Sequence, residues 1–345
     1  MIPSMAHTVS FGEIMMRLAT PGFERLVQAT SLNVSYAGAE ASVAVSLAAF
    51  GHQASFVTAL PEGPLGDAAV GQLRYYGVDT GPVLRRKEGR MGVYFLEAGA
   101  SQRASKVIYD RAGATIAVTP ASAYDWPKIL AGKQALHLSG ITPALSDAAA
   151  QATADALATA RKLGLLTSLD LNYRAKLWNR EKARSVIEPL LANVDLLVGN
   201  EEDAENVLGI SAPATDVSRG NVNAAGYEHV ARAIRQKYGC KRVAITLRES
   251  ESASINHWSG CLLAEDKFLM SQRYTMHIVD RVGAGDAFSG GLISSILDGD
   301  TPESSLEFAV AASCLKHSIP GDFNKVTKEE VRQLAAGGGS GRVVR

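Results

Sequence analysis

The sequence predicts an α/β fold: a doubly wound, mostly parallel sheet flanked by helices, with a small β-sheet lid. Three observations carry that expectation. Short, nearly continuous apolar runs alternate with stretches of helical periodicity, as in a parallel sheet covered on both faces. Two segments of polar alternation interrupt the rhythm. Near the C-terminus a glycine-rich junction, Gly283-Ala284-Gly285-Asp286, leads directly into a helix of small residues.

Residues 11–36 are the first interruption, extended and poor in helix formers. Residues 40–50 then read as a helix, 54–60 as a strand and 66–76 as a helix. Residues 92–97 and 105–110 alternate in polarity around Gly99-Ala100-Ser101-Gln102, which predicts a hairpin. The lid is therefore expected from about 11–36 and 91–112. Strands at 135–139, 165–171, 194–198 and 242–247 alternate with helices at 146–163, 180–192, 201–208 and 227–238, the pattern of βαβ units. Ligands in such sheets sit beyond the carboxyl ends of the strands. Residues 211–226, small and polar, predict a surface insertion, and 337–345 a flexible tail. No repeat divides the chain, so 1–345 reads as a single domain.

With 46% hydrophobic residues over 345 positions, there is ample material for a large core. Lysine plus arginine equals aspartate plus glutamate, 35 against 35, which argues against a general nucleic-acid binder and an electrostatic membrane anchor. Cys240, Cys261 and Cys314 lack C-x-x-C spacing and cannot all pair, as expected of thiols in a reducing compartment. Residues 1–10 hold no long apolar segment, and no apolar run approaches the ~18 residues of a membrane span. A cytoplasmic protein is expected.

The glycine-rich junction carries the chemistry. A helix start gathers unpaired N–H groups and the positive end of the helix dipole, and glycine lets an anion approach that backbone. Asp286 stands beside it. An acid next to an anion hole suits phosphoryl transfer, where it deprotonates the attacking hydroxyl; an aspartate at a helix start also serves as an N-cap. A dinucleotide-binding G-x-G-x-x-G would need its third glycine at Phe288, and the Walker A spacing is absent.

Four segments in order resemble the ribokinase-like (PfkB) family of carbohydrate kinases. The first is 36–51, opening Tyr36-Ala37-Gly38-Ala39, similar to the family's Gly-Gly-x-x-x-N-x-A with Ala37 and Ser42 as departures. The second is Gly283-Ala284-Gly285-Asp286. The third is Asp170-Leu171-Asn172-Tyr173-Arg174 with Leu177-Trp178, a pattern of the ketodeoxygluconate branch. The fourth is Lys316-His317-Ser318-Ile319-Pro320-Gly321-Asp322.

The resemblance implies ATP and Mg²⁺, and transfer of the γ-phosphoryl to the terminal hydroxyl of 2-keto-3-deoxygluconate, giving the 6-phosphate. It implies Asp286 as general base, with an anion hole from Gly283, Ala284, Gly285 and Asp286. Gly38, Tyr94, Tyr109, Arg111 and Asp322 match substrate positions, and a guanidinium fork suits the carboxylate of a sugar acid. Asn172, Arg174, Thr246, Arg248, Gly283 and Gly285 fall on the nucleotide side. No residue is expected to ligate the metal directly; Asp203, in Asn200-Glu201-Glu202-Asp203, would reach it through water. Thr246-Leu247-Arg248-Glu249 departs from relatives that carry glycines after the threonine. The partner expected is a small sugar acid, with neither nucleic acid nor membrane, in a homo-oligomer. Fructose, 2-keto-3-deoxygalactonate and 5-keto-2-deoxygluconate are the alternative substrates, and a catalytically silent sugar-acid-binding protein is the alternative class.

Overall fold

The computed structural model of the chain describes residues 5–211 and 224–338. Its first eight strands are β1 His7–Phe11, β2 Met15–Ala19, β3 Asn33–Ala37, β4 Gln53–Val57, β5 Ala59–Pro61, β6 Leu84–Arg86, β7 Val93–Glu97 and β8 Lys106–Asp110. Then come β9 Ala135–Ser139, β10 Leu166–Asp170, β11 Leu196–Asn200, β12 Arg242–Ser250, β13 Ile255–Ala264, β14 Lys267–Met270 and β15 Tyr274–His277. Among the described residues the main sheet has nine strands, in the order β14-β13-β12-β11-β10-β9-β1-β4, with β15 also paired to β13. From β12 to β4 every pairing is parallel. The additions at the β13 end are antiparallel.

Alternation along these strands splits the core in two. Val243, Ile245 and Leu247 of β12 and Leu197 of β11 pack into one layer with the helices Asp147–Lys162 and Arg180–Leu190. Ala244, Leu196 and Val198 face the other, with helices Ala39–Ala49 and Ala284–Asp298. This is why the runs read as continuously apolar. Side-chain caps set several helix starts: Ser146 accepts from Ala149 N at 3.1 Å and Asn179 from Lys182 N at 2.8 Å.

The lid is a four-stranded sheet, β3-β2-β7-β8. Its two outer pairings are antiparallel, whereas β2 and β7 run parallel. At the hairpin tip Ser101 N donates to Ser254 Oγ and Ser101 O accepts from Ala253 N, at 2.9 and 2.8 Å, so the lid touches the β12–β13 turn.

Several expectations need correction. The strand expected at 54–60 is two: β4 joins the main sheet, and β5 pairs with β6 beyond a break at Thr58. The extended region expected from residue 11 begins after β1, a central strand that polar Thr8 and Ser10 hide from a search for apolar runs. The strand at 242–247 runs on to Ser250, because β13 pairs with its full length. The helix expected at 201–208 is one α turn, Glu201–Asp203, continued as a π-helix over Ala204–Leu208. Of the insertion expected at 211–226, residues 212–223 lie outside the described residues and 224–226 open the helix Ala224–Tyr238. Of the tail expected at 337–345, residues 339–345 lie outside them. No disulfide joins Cys240, Cys261 and Cys314. Among the described residues no helix is long and apolar enough to cross a membrane.

Candidate active site

A cavity of about 610 Å³ opens at the carboxyl ends of the parallel strands, beneath the lid. Asp170 ends β10 and Asn200 ends β11, and both line it. Every site residue expected from the sequence also lines it, although those residues span positions 38 to 322.

Gly283 caps the helix Ala284–Asp298 in the left-handed region, φ 86°. A Cβ there would also overlap the carbonyl oxygen of Asp322, so glycine is required on two counts. The first-turn N–H groups of Gly285 and Asp286 have no helical acceptor and face the cavity as an anion cradle. Asp286 does not cap its own helix. Its carboxyl is pushed well above the usual range, first by burial and then by the carboxylates of Asp170, Asp322 and Glu40, with Arg174 opposing. A group of raised basicity suits proton acceptance from a hydroxyl.

Beside the cradle sits a charge network that the sequence did not announce. Tyr94 donates to Asp322 Oδ2 at 2.7 Å, and Arg17 of β2 donates to Asp322 Oδ1. Arg17 also reaches Asp280 Oδ2 at 2.5 Å. Asp280 in turn accepts from Val282 N and Gly321 N, both at 3.0 Å, which shapes the approach to Gly283. Burial works against the Arg17 charge, but Asp322 and Asp280 outweigh it and hold the proton more firmly. Fully buried Lys316 donates to Asp280 O at 3.1 Å. Lys316 stood inside a quoted motif; Asp280, three residues before Gly283, and Arg17 were not singled out.

Arg111 is buried and ion-paired through Nη2 to Glu13, and its guanidinium lies 5.4 Å from the Tyr109 ring centre. The expected free fork is thus half engaged. Arg111 Nε and Glu13 Oε1 are both buried without a partner, so the pair is incomplete as it stands. Gly38 lies where a Cβ would overlap the Glu13 carbonyl oxygen, so helix Ala39–Ala49 can start close to the strand end. Glu40, in the first turn of that helix, is buried and accepts from Ser139 N, Ser139 Oγ and Thr142 Oγ1 at 3.2, 2.6 and 2.8 Å. Glu13 and Glu40 also went unread.

Asn172 takes a positive φ of 40° and its N donates to Asp170 Oδ1 at 3.2 Å. Burial first, then Asp203, pushes the Asp170 carboxyl up to about 7. Arg174 Nη1 donates to Tyr173 O at 3.1 Å, leaving the rest of its fork toward the cavity. Asp203 forms a capping box with Asn200 and accepts from Tyr173 N at 3.2 Å; burial pushes it up to about 6. Thr246 is buried, and the Arg248 guanidinium lies 5.0 Å from the Trp258 ring centre. No cluster of three or more metal-ligating side chains exists among the described residues.

A mostly parallel α/β sheet with a β lid, a glycine-lined anion cradle and an adjacent acid defines a sugar kinase of ribokinase-like fold. The pfkB family carbohydrate kinase pattern matches residues 5–328, and the chain belongs to that family. It is 35% identical over 338 residues to a 2-dehydro-3-deoxygalactonokinase of Haloferax volcanii, covering 97% of this chain and 98% of that protein. It is 28% identical to a 2-dehydro-3-deoxygluconokinase of Thermoproteus tenax, covering 92% and 90%. The crystal structure of 2-dehydro-3-deoxygluconokinase from Thermotoga maritima superposes with a TM-score of 0.92 at 49% identity, covering 96% of this chain and 99% of that one.

Proposed function

We propose that the chain transfers the γ-phosphoryl of ATP to the 6-hydroxyl of 2-keto-3-deoxygluconate. The observation that carries this reading is that one cavity holds Asp286 and its amide cradle at one wall and the incompletely paired Arg111 guanidinium at another. A sugar acid laid across it sets its carboxylate near Arg111 and its terminal hydroxyl near Asp286. Tyr94, Tyr109 and Asp322 flank the sugar. Asp286 takes the hydroxyl proton as the oxygen attacks phosphorus; the bond from phosphorus to the β–γ bridging oxygen breaks, and that electron pair leaves with ADP.

The triphosphate fits the unpaired first-turn amides, Arg174 and the wall at Thr246 and Arg248. Mg²⁺, when bound, neutralises charge between the β- and γ-phosphates. Among the described residues no cluster of three or more ligating side chains would hold it, so waters and phosphate oxygens would complete its shell, with Asp203 tied into its capping box nearby. The lid, docked at Ser101, keeps water from competing with the sugar.

A second reading, the 4-epimer 2-keto-3-deoxygalactonate, is favoured by the Haloferax relative's name. Coupled ADP release decides, run with both acids, 5-keto-2-deoxygluconate and fructose. Highest kcat/KM on 2-keto-3-deoxygluconate is expected. Preference for fructose would refute the acid reading.

A further inference from the structure

Of the five arginines that line or border the cavity, Arg17, Arg111, Arg174 and Arg281 differ in what already neutralises them. Arg17 is spent on Asp280 and Asp322, and Arg111 is shared with Glu13. Arg174 has the carboxylates of Asp170, Asp203 and Asp286 around it. Arg281 has none: no carboxylate lies within ion-pair distance of it among the described residues. Yet it is half-buried, lines the cavity and stands two residues before the cradle glycine Gly283.

Its three nitrogens have distinct surroundings. Nη2 donates to Asn256 Oδ1 at 3.0 Å. Asn256 is fully buried and held in turn, its Nδ2 donating to Ser252 O and Ile255 O at 2.9 and 2.7 Å. Nε is buried with no partner. That leaves Nη1 as the end free to meet a ligand. Burial lowers the hold of Arg281 on its proton. A fixed, desolvated, uncompensated cation beside an anion cradle is a poor structural element and a good anion ligand. A tie between β13 and the cradle loop would need no positive charge; a neutral amide would serve.

We propose that Arg281 is a catalytic residue that binds the phosphate chain of the nucleotide through Nη1 and neutralises the charge gathering on the departing diphosphate. Asn256 is its positioning residue. The cradle amides then serve the transferred phosphoryl, and Arg281 serves the leaving side. This inference rests on the kinase reading above and deepens it.

The test compares Arg281→Ala and Arg281→Lys with wild type, using calorimetric binding of a non-hydrolysable ATP analogue and of adenosine, together with turnover. Arg281→Ala is expected to lose ~10–100-fold in affinity for the analogue, as removal of a charge-assisted contact implies. Adenosine affinity should change less than about two-fold, because adenosine carries no phosphate. Turnover should fall ~100-fold or more, Arg281→Lys should recover part of it, and added guanidinium ion should partly rescue Arg281→Ala. Equal losses for the analogue and adenosine, or unchanged analogue binding in a variant with wild-type melting, would overturn the inference. In that case wild-type turnover with ATP and the sugar acid leaves the kinase reading standing. A wild-type protein that binds no ATP analogue overturns both.

Discussion

Arg17→Met severs the link between lid and body while keeping most of the side-chain volume. The residue is 5% exposed and sits between two carboxylates, so the change strands buried negative charge. Breaking a buried pair by removing one partner costs about 3–5 kcal/mol. Here the remaining donors temper that cost: Val282 N and Gly321 N stay on Asp280, and Tyr94 stays on Asp322. The lower end, about 3 kcal/mol, is expected. At roughly 2.1 cal/mol/K per residue over 345 residues, the unfolding entropy is about 0.7 kcal/mol/K, so Tm falls by ~4 °C. Differential scanning calorimetry measures it. Adding Asp322→Asn to Arg17→Met should restore part of the loss, since the stranded charge goes with it, whereas Asp322→Asn alone should destabilise. A Tm shift under about 1 °C, or additive losses in the double variant, would show that the network contributes little and that the lid is held by apolar packing.

Four further outcomes are expected. Asp286→Asn should lower turnover by several orders of magnitude and leave sugar-acid affinity largely intact, because the fold of the cradle does not depend on its side chain; near-normal turnover removes it as the base. Arg111→Ala should raise KM for the acid strongly and leave a neutral sugar little affected, which a KM comparison reads directly. Gly283→Ala should cost ~100-fold in kcat by displacing the cradle from the Asp322 carbonyl, detectable even where circular dichroism is unchanged. Asp170→Asn should stabilise the protein above pH 7. The carboxyl is raised from 3.8 to about 7, so between those values the folded chain holds a proton the unfolded chain has lost, and stability falls as pH rises through the window. The difference of about 3 pH units sets an upper bound of ~4 kcal/mol, read as the pH slope of urea unfolding in variant minus wild type.

Contiguous features were legible. Gly283 to Asp286 declare a helix start, a close backbone approach and an acid within four positions, and the parallel strands declare themselves by apolar runs. Strands with polar positions, such as β1 and β13, escaped because burial on both faces is tolerated there through hydrogen bonds that only neighbours reveal. Thr8 Oγ1, for example, donates to Gln53 O at 3.3 Å. The acids Glu13, Glu40 and Asp280 escaped for the same reason: each is isolated among unlike residues, and its side-chain partners Arg111, Ser139 and Arg17 lie far along the chain.

The alternation of parallel strands and helices, and the glycine-lined helix start with its acid, followed from local sequence, because helix starts, glycine backbone freedom and strand patterning act over a few residues. The electrostatic state of the site did not. Arg17 and Asp322 are 305 positions apart, and Arg111 and Glu13 are 98. Which cations are spent and which remain available depends on charges brought together through a low-dielectric interior, and only the folded chain sets those distances.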